Sequence, residues 1–189
     1  MNKYIKKQDG LTLLELLATI VILAIISTLV FSMLIKTIET NKNIQQETKL
    51  RDEADLIISK FIKTLYSTNQ NHIVRNTGNQ YIEITNDSSK CKKTEDGTWI
   101  INNSCIQTLE PLGFKTENNI TYIYFKNEKY NVQNSGIRIS NKSKIIGDPV
   151  IDSIYEINLE LEITKKRSNK DQIKTMVFIN QIQPIINSK

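Results

Sequence analysis

Apolar residues are unevenly spread along this chain. From Leu11 to Ile35 they run almost unbroken, LTLLELLATIVILAIISTLVFSMLI, with a single carboxylate, Glu15. As a helix this run would span roughly 37 Å at about 1.5 Å per residue. A bilayer's hydrocarbon core is about 30 Å thick, so the run is long enough to cross one. From Lys36 to Thr68 there is no Gly and no Pro, and the pattern changes. Leu50, Ala54, Ile57, Ile58, Phe61 and Leu65 recur mostly three and four apart, which predicts an amphipathic continuation with one apolar face. Asp52, Lys60 and Lys63 fall opposite that face. Glu39–Lys42 and Glu47–Arg51 place an acid one turn ahead of a base, the favourable order. The stripe covers too few heptads for a coiled-coil seam. It is expected to cover a sheet of its own chain.

After Asn69 the chain becomes short runs separated by Asn, Asp, Gly and Ser. Gln80–Thr85, Thr98–Asn102, Thr121–Lys126 and Gly136–Ser140 are strand candidates. Glu156–Thr164 is the clearest, with Ile157, Leu159, Leu161 and Ile163 alternating with polar residues, as a strand with one wet face requires. Lys174–Ile182 follows and should pair with it, the KKRSNK stretch (Lys165–Lys170) forming the loop. Ser67–Asn79 is expected to be a connecting loop. The fold class is therefore α+β: a long N-terminal helix, transmembrane in its first half and amphipathic in its second, packed on an antiparallel β-sheet. The expected divisions are 1–10, a leader; 11–35, the membrane helix; 36–68, its continuation; and 69–189, a β-rich domain.

Lys3, Lys6 and Lys7 precede the apolar run. By the positive-inside rule they keep the N-terminus cytoplasmic and place the rest of the chain outside, in a single pass. A removable secretory signal has a shorter apolar region and a small-residue cleavage site after it, and neither holds here. A plain anchor accounts for the length and the lysines but leaves Glu15 unexplained, because intramembrane carboxylates are rare and usually functional.

Residues 7–17, KQDGLTLLELL, resemble the class III signal of type IV prepilins. The resemblance implies cleavage after Gly10, N-methylation of the new terminus Leu11, and an assembly role for Glu15. An exposed ammonium at Leu11 would pair with Glu15 of its own chain or a neighbour, since two opposite charges in an apolar surround are far better together than alone. It further implies a non-enzymatic structural subunit of a type IV pilus or related filament, either a minor pilin or a pseudopilin. The implied partners are other pilin subunits through the N-terminal helix, a prepilin peptidase, an assembly platform protein and ATPase, and the membrane. Pilus, DNA-uptake and secretion machines all remain open, as does a single-span anchored extracellular binding domain that does not polymerise. Leu11 stands where the family most often has Phe. The span lacks the Pro or Gly that weakens the helix in many major pilins.

Composition adds exclusions. The net charge of +5 is spread along the chain, a weak footprint for nucleic acid. Lys165, Lys166, Arg167 and Lys170 read as a solvated hairpin tip more readily than as a phosphate site. Two cysteines and one histidine, His72, cannot build a four-ligand Cys/His metal site, and no cofactor motif is present. Asp87, Asp96 and Asp148 lie in turn-like stretches without a calcium-loop pattern. Cys91 and Cys105 are a candidate disulfide in an oxidising compartment. They would close a loop worth about 3 kcal/mol in the chain-entropy model.

Overall fold

The computed structural model describes residues 12–151, 153–165 and 172–185. The chain divides into two compact units, Met1–Gln45 and Gln46–Lys189. Helix α1 (Leu13–Tyr66) runs through both. In the first unit every described residue of α1 is exposed. In the second its apolar stripe is buried, with Leu50, Ala54, Ile57, Phe61 and Leu65 fully removed from solvent. The helix stops where Ser67 and Thr68 turn their hydroxyls back onto the Thr64 carbonyl, at 2.9 and 2.7 Å.

The strands of the second unit are β1 (Ile73–Thr77), β2 (Tyr81–Thr85), β3 (Lys92–Lys93), β4 (Trp99–Ile100), β5 (Leu109–Glu117) and β6 (Ile120–Phe125). They continue with β7 (Glu128–Tyr130), β8 (Ile137–Ile139), β9 (Lys144–Ile146), β10 (Tyr155–Lys165) and β11 (Gln172–Ile182). A short helix, α2 (Asn103–Ile106), precedes β5. Five strands form a sheet in the order β1-β2-β5-β6-β7. A second sheet runs β11-β10-β8, with β9 also on β10, and β3 pairs with β4. These strand pairs are antiparallel. The α1 stripe shares one core with Ile82, Leu112, Phe114 and Ile123 of the first sheet and Ile157, Leu159 and Leu161 of the second. Phe61 sits at its centre, with ring centroids 5.6 Å from Phe114 and 4.8 Å from Phe125.

The α+β expectation holds, with the sheet component divided as above. The predicted β10–β11 hairpin is present, in unbroken register from Tyr155↔Ile182 to Lys165↔Gln172. Five strands lie outside the predicted runs: β3, β7 and β9, each of at most three residues, and the longer β1 and β5. The expected loop Ser67–Asn79 contains β1, and β5 lies where Pro111 and Gly113 argue against a strand. Pro111 is tolerated because β5 meets β6 only from Leu112 onward, so at Pro111 the strand has one neighbour, β2, and an edge position of this kind can do without an N–H donor. Gly113 is required. Its φ is +138°, and a Cβ there would lie 2.6 Å from the Gln80 carbonyl and 2.7 Å from the Tyr81 Cα.

The hairpin turns use the abundant asparagines. Gly78 and Asn79 between β1 and β2 have φ of 59° and 56°, and Asn118 and Asn119 between β5 and β6 have 50° and 63°. The β5–β6 connection is a two-residue hairpin, Glu117 pairing with Ile120, and two successive positive-φ residues are what it needs to match strand twist. The β1–β2 connection runs from Gly78 to Gln80, Thr77 pairing with Tyr81, and Gly and Asn supply its positive φ angles at least strain.

One acid on the α1 stripe is buried. Glu53 has no exposed surface and accepts four hydrogen bonds. They come from the Tyr130 hydroxyl (2.9 Å), the Gln133 and Asn134 amides (3.0 Å each) and the Asn134 side chain (2.8 Å). Burial alone would push this carboxyl up, but the four donors outweigh it and hold it below the usual carboxylate range. Burial, and then Glu53 itself, raises the Tyr130 phenol. Glu53 thus fixes the segment after β7 to the helix.

Urea unfolding midpoints of the full chain in detergent should reflect these contacts. Gly113→Ala should lose about 3 kcal/mol, from positive φ and backbone clash together. Gly78→Ala, in open space, should lose only about 1 kcal/mol. Glu53→Gln should lose about 2 kcal/mol at neutral pH, because a buried amide confronts donors with a donor. A carboxyl with a depressed folded pKa stabilises above its unfolded pKa and ceases to as pH falls through the folded one. Stability of the parent chain should therefore fall below the ordinary carboxylate range, and the Gln variant should show less of that fall.

Candidate functional site

The head of α1 is built from Thr12 and Glu15. The Thr12 backbone amide donates to Glu15 Oε2 at 2.9 Å and its hydroxyl donates to the same oxygen at 3.0 Å. The Glu15 amide in turn donates to Thr12 Oγ1 at 3.3 Å. Leu16 N–H closes the first helical turn onto the Thr12 carbonyl at 3.1 Å. This is a reciprocal cap of the S/T-x-x-E type. It satisfies amides that have no partner further back in the helix, and the acid also complements the positive end of the helix dipole. Glu15 thus has a local role in closing the helix, beside the assembly role that the leader resemblance implies. The tetrad T-L-L-E is the sequence signal for it.

Beyond the cap, Leu16–Ile35 contains no charged residue. The helix is long and apolar enough to cross a membrane. Its threonines are satisfied within it: the hydroxyls of Thr19, Thr28 and Thr37 donate to the carbonyls of Leu16, Ile25 and Met33 at 2.8, 2.7 and 2.9 Å. Such internal pairing is what an apolar medium demands of polar side chains. The large side chains Leu23, Leu29, Phe31 and Met33 are each more than half exposed, so the first unit presents apolar surface on all sides. A helix apolar all round is a membrane span or is buried among others.

Cys91 and Cys105 are joined by a disulfide, their Cα atoms 4.7 Å apart. Cys105 is fully buried and Cys91 nearly so. Asn102 caps α2 by accepting from the Cys105 amide at 2.8 Å. The closed segment carries β3 and β4. Trp99 of β4 anchors it, donating from Nε1 to the Ile73 carbonyl at 3.0 Å.

The remaining candidate residues resolve as surface chemistry. Asp87 accepts from the Ser89 amide and hydroxyl, at 3.1 and 2.6 Å, and Asp148 accepts from the Val150 amide at 2.8 Å. Both are Asx turns. The expected Glu47–Arg51 pair is secondary, since Glu47 forms its hydrogen-bonded ion pair with Lys174 of β11. Lys174 is accordingly the first cause of the lowered Glu47 pKa. Tyr122 and Tyr124 face away from the core. Lys129 Nζ lies 3.2 Å from the Tyr122 ring centroid and Tyr124 donates to Glu117 at 2.8 Å. Gly10, Leu11 and the basic stretch Lys166, Arg167 and Lys170 lie outside the described residues. No cluster of His, Cys, Asp and Glu able to hold a metal occurs among the described residues.

Residues 5–31 match the family model described as the prokaryotic N-terminal methylation motif. The chain therefore carries a type IV prepilin-like leader, and the match spans the cap and most of the apolar run. No curated protein and no solved structure matches the chain.

Replacing both cysteines with serine should lower stability by about 3 kcal/mol. Trp99 fluorescence should shift toward that of a solvated indole as the freed segment leaves the Ile73 carbonyl.

Proposed function

We propose that this chain is a structural subunit, a minor pilin or pseudopilin, of a type IV pilus or a related envelope filament. The observation that carries the reading is the methylation motif over residues 5–31, with Glu15 as the lone charged residue of the apolar run from Leu11 to Ile35. In this reading a prepilin peptidase cuts after Gly10 and methylates the new amino group of Leu11. Residues 1–10 are discarded, 11–35 become the membrane and then the filament-core helix, and 36–68 continue that helix onto the folded domain. That domain, residues 69–189, lies outside the cytoplasm, where an oxidising compartment suits the Cys91–Cys105 bond. A platform protein and an ATPase supplied by the assembly machine draw the helix out of the bilayer. The chain itself catalyses nothing.

Glu15 is the register key. Its Oε2 atom is engaged by Thr12, which supports a carboxylate held in one rotamer at the head of the helix. The Leu11 ammonium of an adjacent subunit would supply the opposite charge. With water excluded between helices, a subunit offset from that pairing leaves two uncompensated charges. The penalty sets the axial stagger.

Two measurements test the proposal. Mass spectrometry of membrane-extracted protein should find a chain that starts at Leu11 and carries one added methyl. A chain that retains Met1 overturns the reading. Glu15→Ala should insert into the membrane at least as well as the parent and yet be lost from sheared filaments. Normal incorporation of that variant would remove Glu15 as the register key, and absence of the parent chain itself from sheared filaments would point instead to a single-span anchored binding domain.

A further inference from the structure

The second sheet ends in a long unprotected edge. β11 pairs on one side with β10 and on the other with no described strand. Its register with β10 is free of bulges along its length, and it contains no Pro or Gly. Its one charged residue, Lys174, is turned to Glu47 of α1. On the solvent face stand Ile173, Thr175, Val177 and Ile179, with the three aliphatic residues 63 %, 55 % and 62 % exposed. Proteins normally blunt such an edge with charge, proline, a bulge or brevity. The other described edges of the two larger sheets are treated that way: β1, β7, β8 and β9 have at most five residues and carry Arg75, Glu128 and Lys129, Arg138, and Lys144.

We infer that β11 is the pairing edge for β11 of a second copy, the two strands running antiparallel about a twofold axis at Met176. The sequence selects both occupant and register. With Met176 on the axis, Ile173 faces Ile179 of the other copy and Thr175 faces Val177, so every exposed aliphatic side chain meets another side chain it can pack on. Aliphatic and β-branched cross-strand pairs of this kind stabilise a sheet. An axis at Val177 would instead set Ile173 against Gln181 and Thr175 against Ile179. On the inner face the Met176 axis sets Lys174 against Phe178 and Gln172 against Asn180. The two Lys174 residues stand four positions apart, about 13 Å, and each keeps its own Glu47.

Charge does not stand against a like partner here. β10 carries Glu156, Glu160 and Glu162 on the solvent face. In the paired sheet, the two β10 strands are separated by both β11 strands, about 14 Å. That exceeds the physiological Debye length of about 8 Å, so the acidic rows do not oppose pairing. A twofold pair closes on itself, whereas a filament repeats one heterologous contact. The β11 contact is therefore additional to the helix packing proposed above and does not depend on Glu15.

The test is disulfide trapping with full-length protein in native membranes. Two differently tagged copies are co-expressed, one with Thr175→Cys and the other with Val177→Cys, and oxidised with copper phenanthroline. A cross-linked product bearing both tags is expected, as it is for Ile173→Cys with Ile179→Cys. Lys115→Cys, on the other sheet, should give none. Adding Ile179→Lys places a charge in the contact and should abolish the Thr175–Val177 product while leaving the Cys91–Cys105 bond and protease resistance intact. The product should persist in Glu15→Ala copies. Absence of the Thr175–Val177 product, self-cross-linking of Val177→Cys in its place, indifference to Ile179→Lys, or loss with Glu15→Ala would each overturn the inference.

Discussion

A carboxylate carried among apolar residues needs donors, and α1 meets that demand twice by different means. At its head, Glu15 is held by a residue one turn earlier, through bonds at 2.9 and 3.0 Å. Deep in the second unit, Glu53 takes four donors from the segment that follows β7 and from Tyr130 at its end. The first arrangement is local and leaves the acid at the surface of the helix. The second is long-range and buries it completely. An acid that is saturated and enclosed serves the fold. One that is held in place and left accessible is available to another molecule.

The helix between these acids is adapted to two surroundings. Leu16–Ile35 is apolar on every side and returns its threonine hydroxyls to its own backbone. From Leu50 onward apolar residues occupy a single stripe, because there the other faces meet water. Sheets on the folded side complete the core around that stripe. Phe61 packs against Phe114 and Phe125, from neighbouring strands.

Much of this is legible in the order of the residues. The stripe Leu50–Leu65 and the alternation in Glu156–Thr164 are periodic signals, and periodicity survives folding because it reflects which faces are dry. What is not legible depends on partners that a linear pattern does not supply. β5 contains Pro111 and Gly113, both poor strand residues. They are accommodated because one lies beyond the reach of β6 and the other admits the close approach of Gln80 and Tyr81. Glu53 looks like any solvated helix acid, since its donors lie far along the chain. The asparagines at 79, 118 and 119 look like compositional bias, whereas their positive φ values mark them as turn residues. The Thr12–Glu15 cap is of the legible kind, because its spacing is local.

The last described residues of the chain return to the end of α1. Ile185 donates to the Thr68 carbonyl at 3.2 Å and accepts from the Gln70 amide at 3.0 Å, forming a parallel bridge with Asn69. Among the described strands β11 is likewise the last to be made. During synthesis, the oily stripe of the helix therefore emerges well before the segments that close over it. The nascent domain stays unsealed until β11 and Ile185 have been made. Loop closure of that span is slow compared with local pairing, so the half-made chain depends on its surroundings to keep that stripe out of contact with other nascent chains.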